Sequence, residues 1–295
     1  MGASLLHTGE IAKARDHLDK AITLYKPAEH RPRALLFGQD VRVAAVFYRS
    51  LALWRLGYPD AALTDAARAV ADARDVGQAA TVMAALALTS LTHIHCGNYA
   101  LAKAQLDEVC ILADEKSAMF WKVGATVLQG CISASIGNAA DAVDMIASGI
   151  EAWRSTGASL WMPVYLSHLT GAYADLGRFD DAWRCIDEAM TVIQQTKERW
   201  YEADIHRIAG DIALRSPKSQ AQKAETFFGH ALEVARSQQA KSWELRAAMS
   251  LAELRRDQGR GDEGRDLLAP VYNWFSEGFD TLDLRKARAL LDALT

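Results

Sequence analysis

The sequence predicts an all-α protein built from repeated helix hairpins, and three observations support this prediction. Only 6 prolines occur in 295 residues, so few helix breakers interrupt the chain. Half of the residues are hydrophobic and 24% are charged, which is the balance of a folded protein. Glycine recurs every forty residues, at Gly57, Gly97, Gly137 and Gly177. An internal period of this length is typical of repeat proteins.

Each of these glycines lies between two segments whose apolar residues recur with a helical period. We therefore expect each glycine to form a helix-to-helix turn. Pro217 falls on the next step of the period, Gly259 follows it, and Gly9 precedes Gly57 at a longer spacing. The extra length lies in residues 26–39, which we expect to form a loop.

The residues around the turns also repeat in kind. The second helix carries a small residue five positions after the turn, or seven after Pro217: Ala14, Ala62, Ala102, Ala142, Ala182, Ala224 and Gly264. A bulky apolar residue follows four positions later on the same helix face. The first helix carries a small residue seven positions before the turn: Ser50, Ser90, Gly130, Thr170, Gly210 or Ala252. Small residues at these positions allow the two helices to approach closely.

This order of residues, with an aromatic residue two positions after the turn at Tyr99 and Phe179, resembles the tetratricopeptide (TPR) repeat. The resemblance implies a TPR-like right-handed superhelix of helix hairpins. The period departs from the family, forty residues against about 34, so each helix is expected to be about three residues longer. An armadillo- or HEAT-like solenoid and a generic helical bundle are the alternatives.

We expect one TPR-like solenoid over residues 1–295. The solenoid begins with a partial repeat at 5–25 and the loop at 26–39. Six full repeats follow, at 40–77, 80–117, 120–157, 160–197, 200–238 and 242–275. A capping helix spans 280–294. A capping helix is expected because the last repeat would otherwise expose an apolar face. Because the array begins in mid-repeat, we expect the chain to be the C-terminal part, or a truncated relative, of a larger protein.

Five stretches resemble a more specific group of proteins. They are HRPRALLFGQD and SLALWRLGYPDAAL within 30–63, ERWYEADIHRIAGDIAL at 198–214, QQAKSWELRAAMSLAEL at 238–254, and LLAPVYNWFSEGFDTLDLRKARALLDAL at 267–294. Together they are similar to the C-terminal TPR region of large bacterial regulators with a class III adenylate/guanylate cyclase domain or a helix-turn-helix, and an AAA/STAND-type ATPase module. The resemblance implies a signal-transduction sensor that controls those domains, to which nothing in this sequence is similar.

The motifs do not indicate catalysis. No GxxxxGK[ST] run occurs, and the GxGxxG at 259–264 follows a predicted helix where a dinucleotide site needs a strand. His93 and His95 are two residues apart on a predicted helix and cannot share one metal with Cys96. We therefore expect a non-catalytic protein with no cofactor and no metal, and a helical enzyme subunit is the remote alternative.

Charge and cysteine content limit the partners and the compartment. Lys and Arg number 33 against 37 Asp and Glu, so no basic field favours nucleic acid. The longest nearly apolar run, at 79–88, is shorter than the ~20 residues that span a membrane. The 4 cysteines are widely spaced, which is typical of reduced thiols in a cytoplasmic protein.

The concave face of a TPR array is lined mainly by the first helix of each hairpin, 10, 6, 3 and 2 positions before the turn. We expect a protein or peptide partner there, because the residues at these positions are apolar in the first repeats and charged in the last ones. A small ligand in a closed pocket is the alternative. The candidate residues are Phe47, Leu51, Trp54, Arg55, Leu91, His95, Ser135, Ser167, Asp175, Arg207, Asp211, Arg215 and Arg256.

The aromatic residues in this list have a second interpretation. Phe47 and Trp54 could pack against the preceding partial repeat instead of facing a partner, and the charged residues could be a solvated face. Trp200, Trp243 and Trp274 are expected to pack within or between repeats.

Overall fold

The computed structural model describes residues 1–216 and 220–294, and the expected turn at Pro217 lies outside them. Within this part the regular structure is helical and contains no strand, which confirms the all-α fold class. The helices are α1 (Gly2–His7), α2 (Ile11–Thr23), α3 (Pro27–His30), α4 (Ala34–Phe37), α5 (Val41–Arg55), α6 (Pro59–Val76), α7 (Ala79–Cys96), α8 (Tyr99–Glu115), α9 (Met119–Ser135), α10 (Ala139–Ser155), α11 (Met162–Asp175), α12 (Phe179–Thr196), α13 (Glu202–Arg215), α14 (Ala221–Ser237), α15 (Lys241–Asp257), α16 (Gly261–Asn273) and α17 (Leu282–Ala293).

Consecutive helices from α5 to α16 pack in pairs, each pair forming one hairpin. The turns expected from the forty-residue period have left-handed backbone conformations, at Gly9, Gly57, Gly97, Gly137, Gly177 and Gly259. Glycine adopts this conformation without a steric penalty, so the first helix ends there and the chain reverses direction.

Small residues hold the two helices of each hairpin together. The alanines at positions 62, 102, 142, 182 and 224 are fully buried. A Cβ atom at Gly130 would lie 2.7 Å from Ile146 Cγ1, and one at Gly210 would lie 2.4 Å from Phe228 Cε1. Larger side chains at these glycines would force the helices apart, which explains the small residues that repeat in the sequence.

Two segments differ from the sequence-based expectations. Residues 27–37, expected to form a loop, contain the short helices α3 and α4 with a 3-10 turn at Arg31–Arg33 between them. Helix α7 is an 18-residue apolar helix with the length and composition of a membrane span. It is nevertheless mostly buried, because hairpin helices pack around it on several sides.

The superhelix closes on itself. Ser242 Oγ at the start of α15 donates a 2.5 Å hydrogen bond to the carbonyl of Trp54, at the end of α5. Arg246 of α15 donates to the carbonyl of His95 in α7 at 3.1 Å. The Arg199 N–H donates to the carbonyl of His7 at 2.7 Å. The last repeats therefore cover the first ones instead of leaving an open groove beside them.

A second set of contacts joins the end of the chain to the turns at Gly57 and Gly97. Residues 274–281, between α16 and α17, form a segment that we name the C-terminal strap. The Gly278 N–H donates to the Asp60 carboxylate at 2.9 Å, and the Glu277 carboxylate accepts from the Ala61 N–H at 2.9 Å. After the strap, Leu282 packs against the turn at Gly97. The strap therefore fastens the end of the chain to the first repeats.

Candidate ligand-binding cavities

The closed superhelix has two cavities on its concave side, at opposite ends of α9 and α11. Phe120 and Leu128 in α9 line the first cavity, and Ser135 at the end of the same helix lines the second. On α11, Tyr165 lines the first cavity and His168 the second. We name the first, of about 500 Å³, the aromatic cavity and the second, of about 780 Å³, the charged cavity.

The charged cavity brings together the C-terminal half of the predicted groove. Its walls include the predicted residues Ser135, Ser167, Asp175, Arg207, Asp211, Arg215 and Arg256. Glu253, six positions before Gly259, also lines the cavity at a register position, whereas the prediction missed further polar residues, namely Tyr99, His168, Asp204, Arg246, Asp283 and Lys286. His168 lies between the four register positions that we used, Asp204 and Arg246 lie 13 positions before their turns, and Tyr99 lies on a second helix. Asp283 and Lys286 belong to α17, which the sequence indicated only as a cap.

Arg207 is the centre of the ion pairs in this cavity. Its Nε contacts Asp204 at 2.7 Å and its Nη1 contacts Asp211 at 2.6 Å, both one turn away on α13. Burial raises the pKa of Asp211, and the charge of Arg207 counteracts this shift. The remaining nitrogen of Arg207, Nη2, has no hydrogen-bond partner within the described part of the chain.

Two further ion pairs connect neighbouring helices. Arg215 of α13 contacts Asp175 of α11 at 2.7 Å, and Arg246 of α15 contacts Asp283 of α17 at 2.8 Å. Lys286 also faces the cavity. Its side chain makes no hydrogen bond or ion pair with any residue in the described ranges, 1–216 and 220–294. The walls are thus held by ion pairs and still present unpaired polar groups.

The N-terminal half of the predicted groove is not exposed, and this part of the prediction is wrong. Leu51, Trp54, Arg55, Leu91 and His95 are each 3% exposed or less. The cause is the closure, since the last repeats cover the faces of α5 and α7 that would line an open groove. Phe47 is also buried, but its ring lines the aromatic cavity.

The buried side chains at the closure form one cluster, which we name the closure cluster: Trp54, Arg55, His95, Trp200, Tyr201 and Trp243. Trp54 stacks on His95 with ring centroids 4.1 Å apart and meets Trp243 edge-on at 4.8 Å. His95 Nε2 and the Tyr201 hydroxyl are 2.5 Å apart. Trp200 and Trp243 are buried as expected, whereas Trp274 in the strap is 40% exposed.

Arg55 lies at the middle of this cluster. It is fully buried, and no carboxylate of the described residues lies within ion-pair distance of it. The guanidinium lies 4.2 Å from the Trp200 ring and 5.3 Å from the Tyr201 ring, and Nη1 donates to the Leu51 carbonyl at 2.9 Å. Burial lowers the pKa of Arg55 to about 10. The aromatic faces take the place of a counter-ion.

The aromatic cavity has different chemistry. Large aromatic side chains line it, namely Phe47, Tyr48, Phe120, Trp121, Trp153, Trp161 and Tyr165. Leu88, Leu128, alanines and Gly124 occupy the remaining helix positions, and no charged side chain of the described chain lines it. Residues 38 and 39, which follow α4, contribute to its border. The two cavities therefore favour different classes of ligand.

No protein-family model matches the sequence, and no curated protein matches it. Among the described residues, no group of three His, Cys, Asp or Glu side chains could hold a metal ion.

Solved structures do match the whole chain. The apo form of RapI has a TM-score of 0.60 at 14% identity, covering 99% of this chain and all of that one. A Rap protein complexed with Competence and Sporulation Factor has a TM-score of 0.57 at 10% identity, covering 85% of this chain and 73% of that one. A signal transduction ATPase (STAND) with a tetratricopeptide repeat sensor from Pyrococcus horikoshii has a TM-score of 0.57 at 16% identity, covering 96% of this chain and 42% of that one. At these identities the similarity shows the fold, which is that of TPR-like helical-repeat proteins.

Proposed function

We propose that the chain is a non-catalytic regulatory module that binds a peptide or a protein segment in the charged cavity. The observation that carries the proposal is the composition of this cavity on the concave side. Arginines and aspartates alternate along α13, and several of their polar atoms have no partner among the described residues. A peptide presents donors and acceptors along its whole backbone, so a wall of alternating donors and acceptors suits it.

The charges of the cavity are balanced. Its walls carry five carboxylates, Asp175, Asp204, Asp211, Glu253 and Asp283, and five cationic groups, Arg207, Arg215, Arg246, Arg256 and Lys286. A site for a nucleotide or another strong anion would need a surplus of cations. Balanced charge favours a partner that carries both signs, as most peptides do.

The structural neighbours support a sensor role. One of them is a Rap protein complexed with Competence and Sporulation Factor, and another is a STAND ATPase with a TPR sensor. Together with the sequence resemblance at 198–214 and 267–294, they support a role for this chain as the regulatory region of a bacterial, cytoplasmic signalling protein with an ATPase or cyclase output. This assignment is part of the proposal.

The proposal is tested by identifying the bound molecule and then removing single charges. Native mass spectrometry of the chain purified from its source cytoplasm should show a peptide-sized adduct. A synthetic copy of that peptide should bind Arg207→Ala about tenfold or more weakly, because a charge-assisted hydrogen bond contributes about 1.5–3 kcal/mol. The difference in affinity between the wild type and Arg207→Ala should be smaller at high salt.

Arg184→Ala is the matched control, because Arg184 is exposed and pairs with Asp181 outside the cavity. Equal affinities of the two variants for the peptide would contradict the proposed site. The non-catalytic role has its own test. Magnesium-dependent turnover of ATP that survives a second purification step would contradict it, since no phosphate-binding loop is present in the sequence.

A further inference from the structure

The aromatic cavity has the size and construction of a small-molecule site. Its volume of about 500 Å³ lies within the range of such sites, roughly 300–1,000 Å³. Ala80, Ala87 and Gly124 have small side chains or none, and seven aromatic side chains make up much of the remaining lining. At Gly124 a Cβ atom would lie 3.1 Å from the Trp153 ring, so the glycine leaves room for that ring.

Two donor groups of residues that line this cavity have no hydrogen-bond partner in the described part of the chain. Tyr165 is 1% exposed and Trp161 is 7% exposed, and both line the cavity. Neither the Tyr165 hydroxyl nor the Trp161 indole N–H makes a hydrogen bond in residues 1–216 or 220–294. The indole of Trp153, in contrast, donates to the Leu160 carbonyl at 3.0 Å. Two donors that line one cavity and bind no acceptor of the described residues are available to a ligand with an acceptor.

The charges around the cavity exclude an anion. No cationic side chain of the described chain lines it. A carboxylate lies behind Trp161 of the wall: Glu198 is buried and accepts hydrogen bonds from the Trp161 backbone N–H at 2.9 and 3.0 Å. An anionic ligand would lose its hydration without gaining a counter-ion and would lie near this carboxylate. Aromatic faces attract neutral rings and cations instead.

We propose that the aromatic cavity is a second binding site, for a flat aromatic small molecule that carries a hydrogen-bond acceptor and no negative charge. The site lies at the opposite end of α9 and α11 from the charged cavity, so it does not depend on the peptide proposed there. The aromatic walls stack on the ligand, and the Tyr165 hydroxyl and the Trp161 indole donate to its acceptor.

Two fluorescent naphthalenes test the proposal at pH 8, where Glu198 is mostly ionised because burial raises its pKa to about 7. Prodan is neutral and carries one ketone acceptor, and 1-anilinonaphthalene-8-sulfonate is anionic. We expect saturable one-to-one binding of prodan with a blue-shifted emission, and at least tenfold weaker binding of the sulfonate. Absence of saturable prodan binding, or equal affinity for the sulfonate, would overturn the proposal.

Two alanines provide a matched pair of blocking variants. Ala80 and Ala134 are both half-buried, and they line the aromatic and the charged cavity respectively. Ala80→Trp should weaken prodan binding at least tenfold, whereas Ala134→Trp should leave it unchanged. If Ala80→Trp does not fold, Tyr165→Phe removes only the hydroxyl and should weaken prodan binding several-fold. Prodan binding that both Ala80→Trp and Tyr165→Phe leave unchanged would overturn the site.

The two sites can also be separated. If the peptide identified for the charged cavity displaces prodan competitively, and Ala80→Trp abolishes binding of that peptide, the aromatic cavity is an extension of the peptide site and the proposal of a second ligand is wrong. Peptide binding that persists in Ala80→Trp, together with loss of prodan binding, supports two independent sites.

Discussion

Arg55 is a buried cation that is stabilised without an ion pair. Its guanidinium keeps one hydrogen bond, to the Leu51 carbonyl, and its Nε and Nη2 have no partner among the described residues. Burial of an isolated charge is costly, and the aromatic faces of Trp200 and Tyr201 compensate for part of that cost. Because this contact requires the end of α5 to meet the rings of the segment before α13, the stabilisation of the Arg55 charge depends on the closure of the superhelix.

Packing at the repeat positions can be tested with single residues. Ala142 is fully buried between the helices of its hairpin, so Ala142→Phe should overpack this contact and lower the free energy of unfolding by about 1–3 kcal/mol. Ser135→Phe is the control, because Ser135 is exposed and lines the charged cavity, where a ring has room. Ser167 is not suitable as a control, because it is only 2% exposed.

Chemical denaturation measures the free energy of unfolding of both variants. Equal losses of stability in Ala142→Phe and Ser135→Phe would mean that the assignment of these two positions is wrong.

Buried histidines predict a loss of stability in acid. Burial lowers the pKa of His7, His93 and His168 to about 4, against an ordinary value of 6.5, and also lowers the pKa of His95 well below that value. Between pH 6.5 and 4 the unfolded chain therefore takes up protons that the folded chain does not, so stability falls as the pH falls. At pH 5 each such histidine lowers the stability by about 2 kcal/mol relative to pH 7.5.

Glu198 acts in the opposite direction, because its pKa is raised to about 7, but it is one group against several histidines. Chemical denaturation at pH 7.5 and pH 5 measures the net effect. His93→Phe should reduce the difference between the two pH values by about 2 kcal/mol, and His17→Gln, at an exposed position, should leave it unchanged. A pH dependence that is the same in wild type and His93→Phe would contradict the prediction.

At the scale of the helices, the sequence is a good guide wherever contacts are local. The hairpins depend on a turn glycine and small residues within about fifteen positions of it, so the repeating pattern carries the information needed. The short helices α3 and α4 have no repeating counterpart, and their segment was expected to be a loop for that reason. The strap had no signal in the pattern, because its partners lie more than 200 residues away.

The strap should depend on the glycine at its centre. Gly278 has a φ of 77°, and a Cβ atom there would lie 2.0 Å from Pro59 Cγ. Gly278→Ala should therefore add a clash with the first repeats to the backbone strain of a left-handed residue, which costs about 1–3 kcal/mol. Gly259→Ala is a matched control, because Gly259 has a φ of 75° and no atom within 4 Å of an added Cβ.

The difference in unfolding free energy between Gly278→Ala and Gly259→Ala measures the strap contact itself. Limited proteolysis should also cut residues 274–281 faster in Gly278→Ala. Equal stability of the two variants would show that the strap does not fasten the superhelix in solution.

At the scale of the whole molecule, closure decides which predicted groove residues can meet a ligand. The register positions predicted seven residues that line the charged cavity, because the first helices of the later repeats do face the concave side. The prediction from the same register positions is wrong for Leu51, Trp54 and His95. Helix α15 and the residues before α13 cover these side chains. Such contacts join residues more than 100 positions apart and depend on the curvature of the array, which no local pattern contains.

Trp54 is the residue whose expected role changes most, and it gives the sharpest test of closure. If it faced an open groove, Trp54→Ala would spare the fold and weaken only the binding of a partner. In the closed superhelix it is 2% exposed and packs between His95 and Trp243, so Trp54→Ala should cost about 3–5 kcal/mol of stability. Loss of this packing should also increase the radius of gyration measured by small-angle X-ray scattering.

Trp274→Ala is the control for this change, because Trp274 lies in the strap and is 40% exposed. It should lower the stability much less than Trp54→Ala and leave the radius of gyration almost unchanged. If both variants are equally stable and equally compact, the contact between the first and last repeats does not hold the molecule closed. The faces of α5 and α7 would then be accessible to a partner in solution, and Trp54 would return to the set of candidate binding residues.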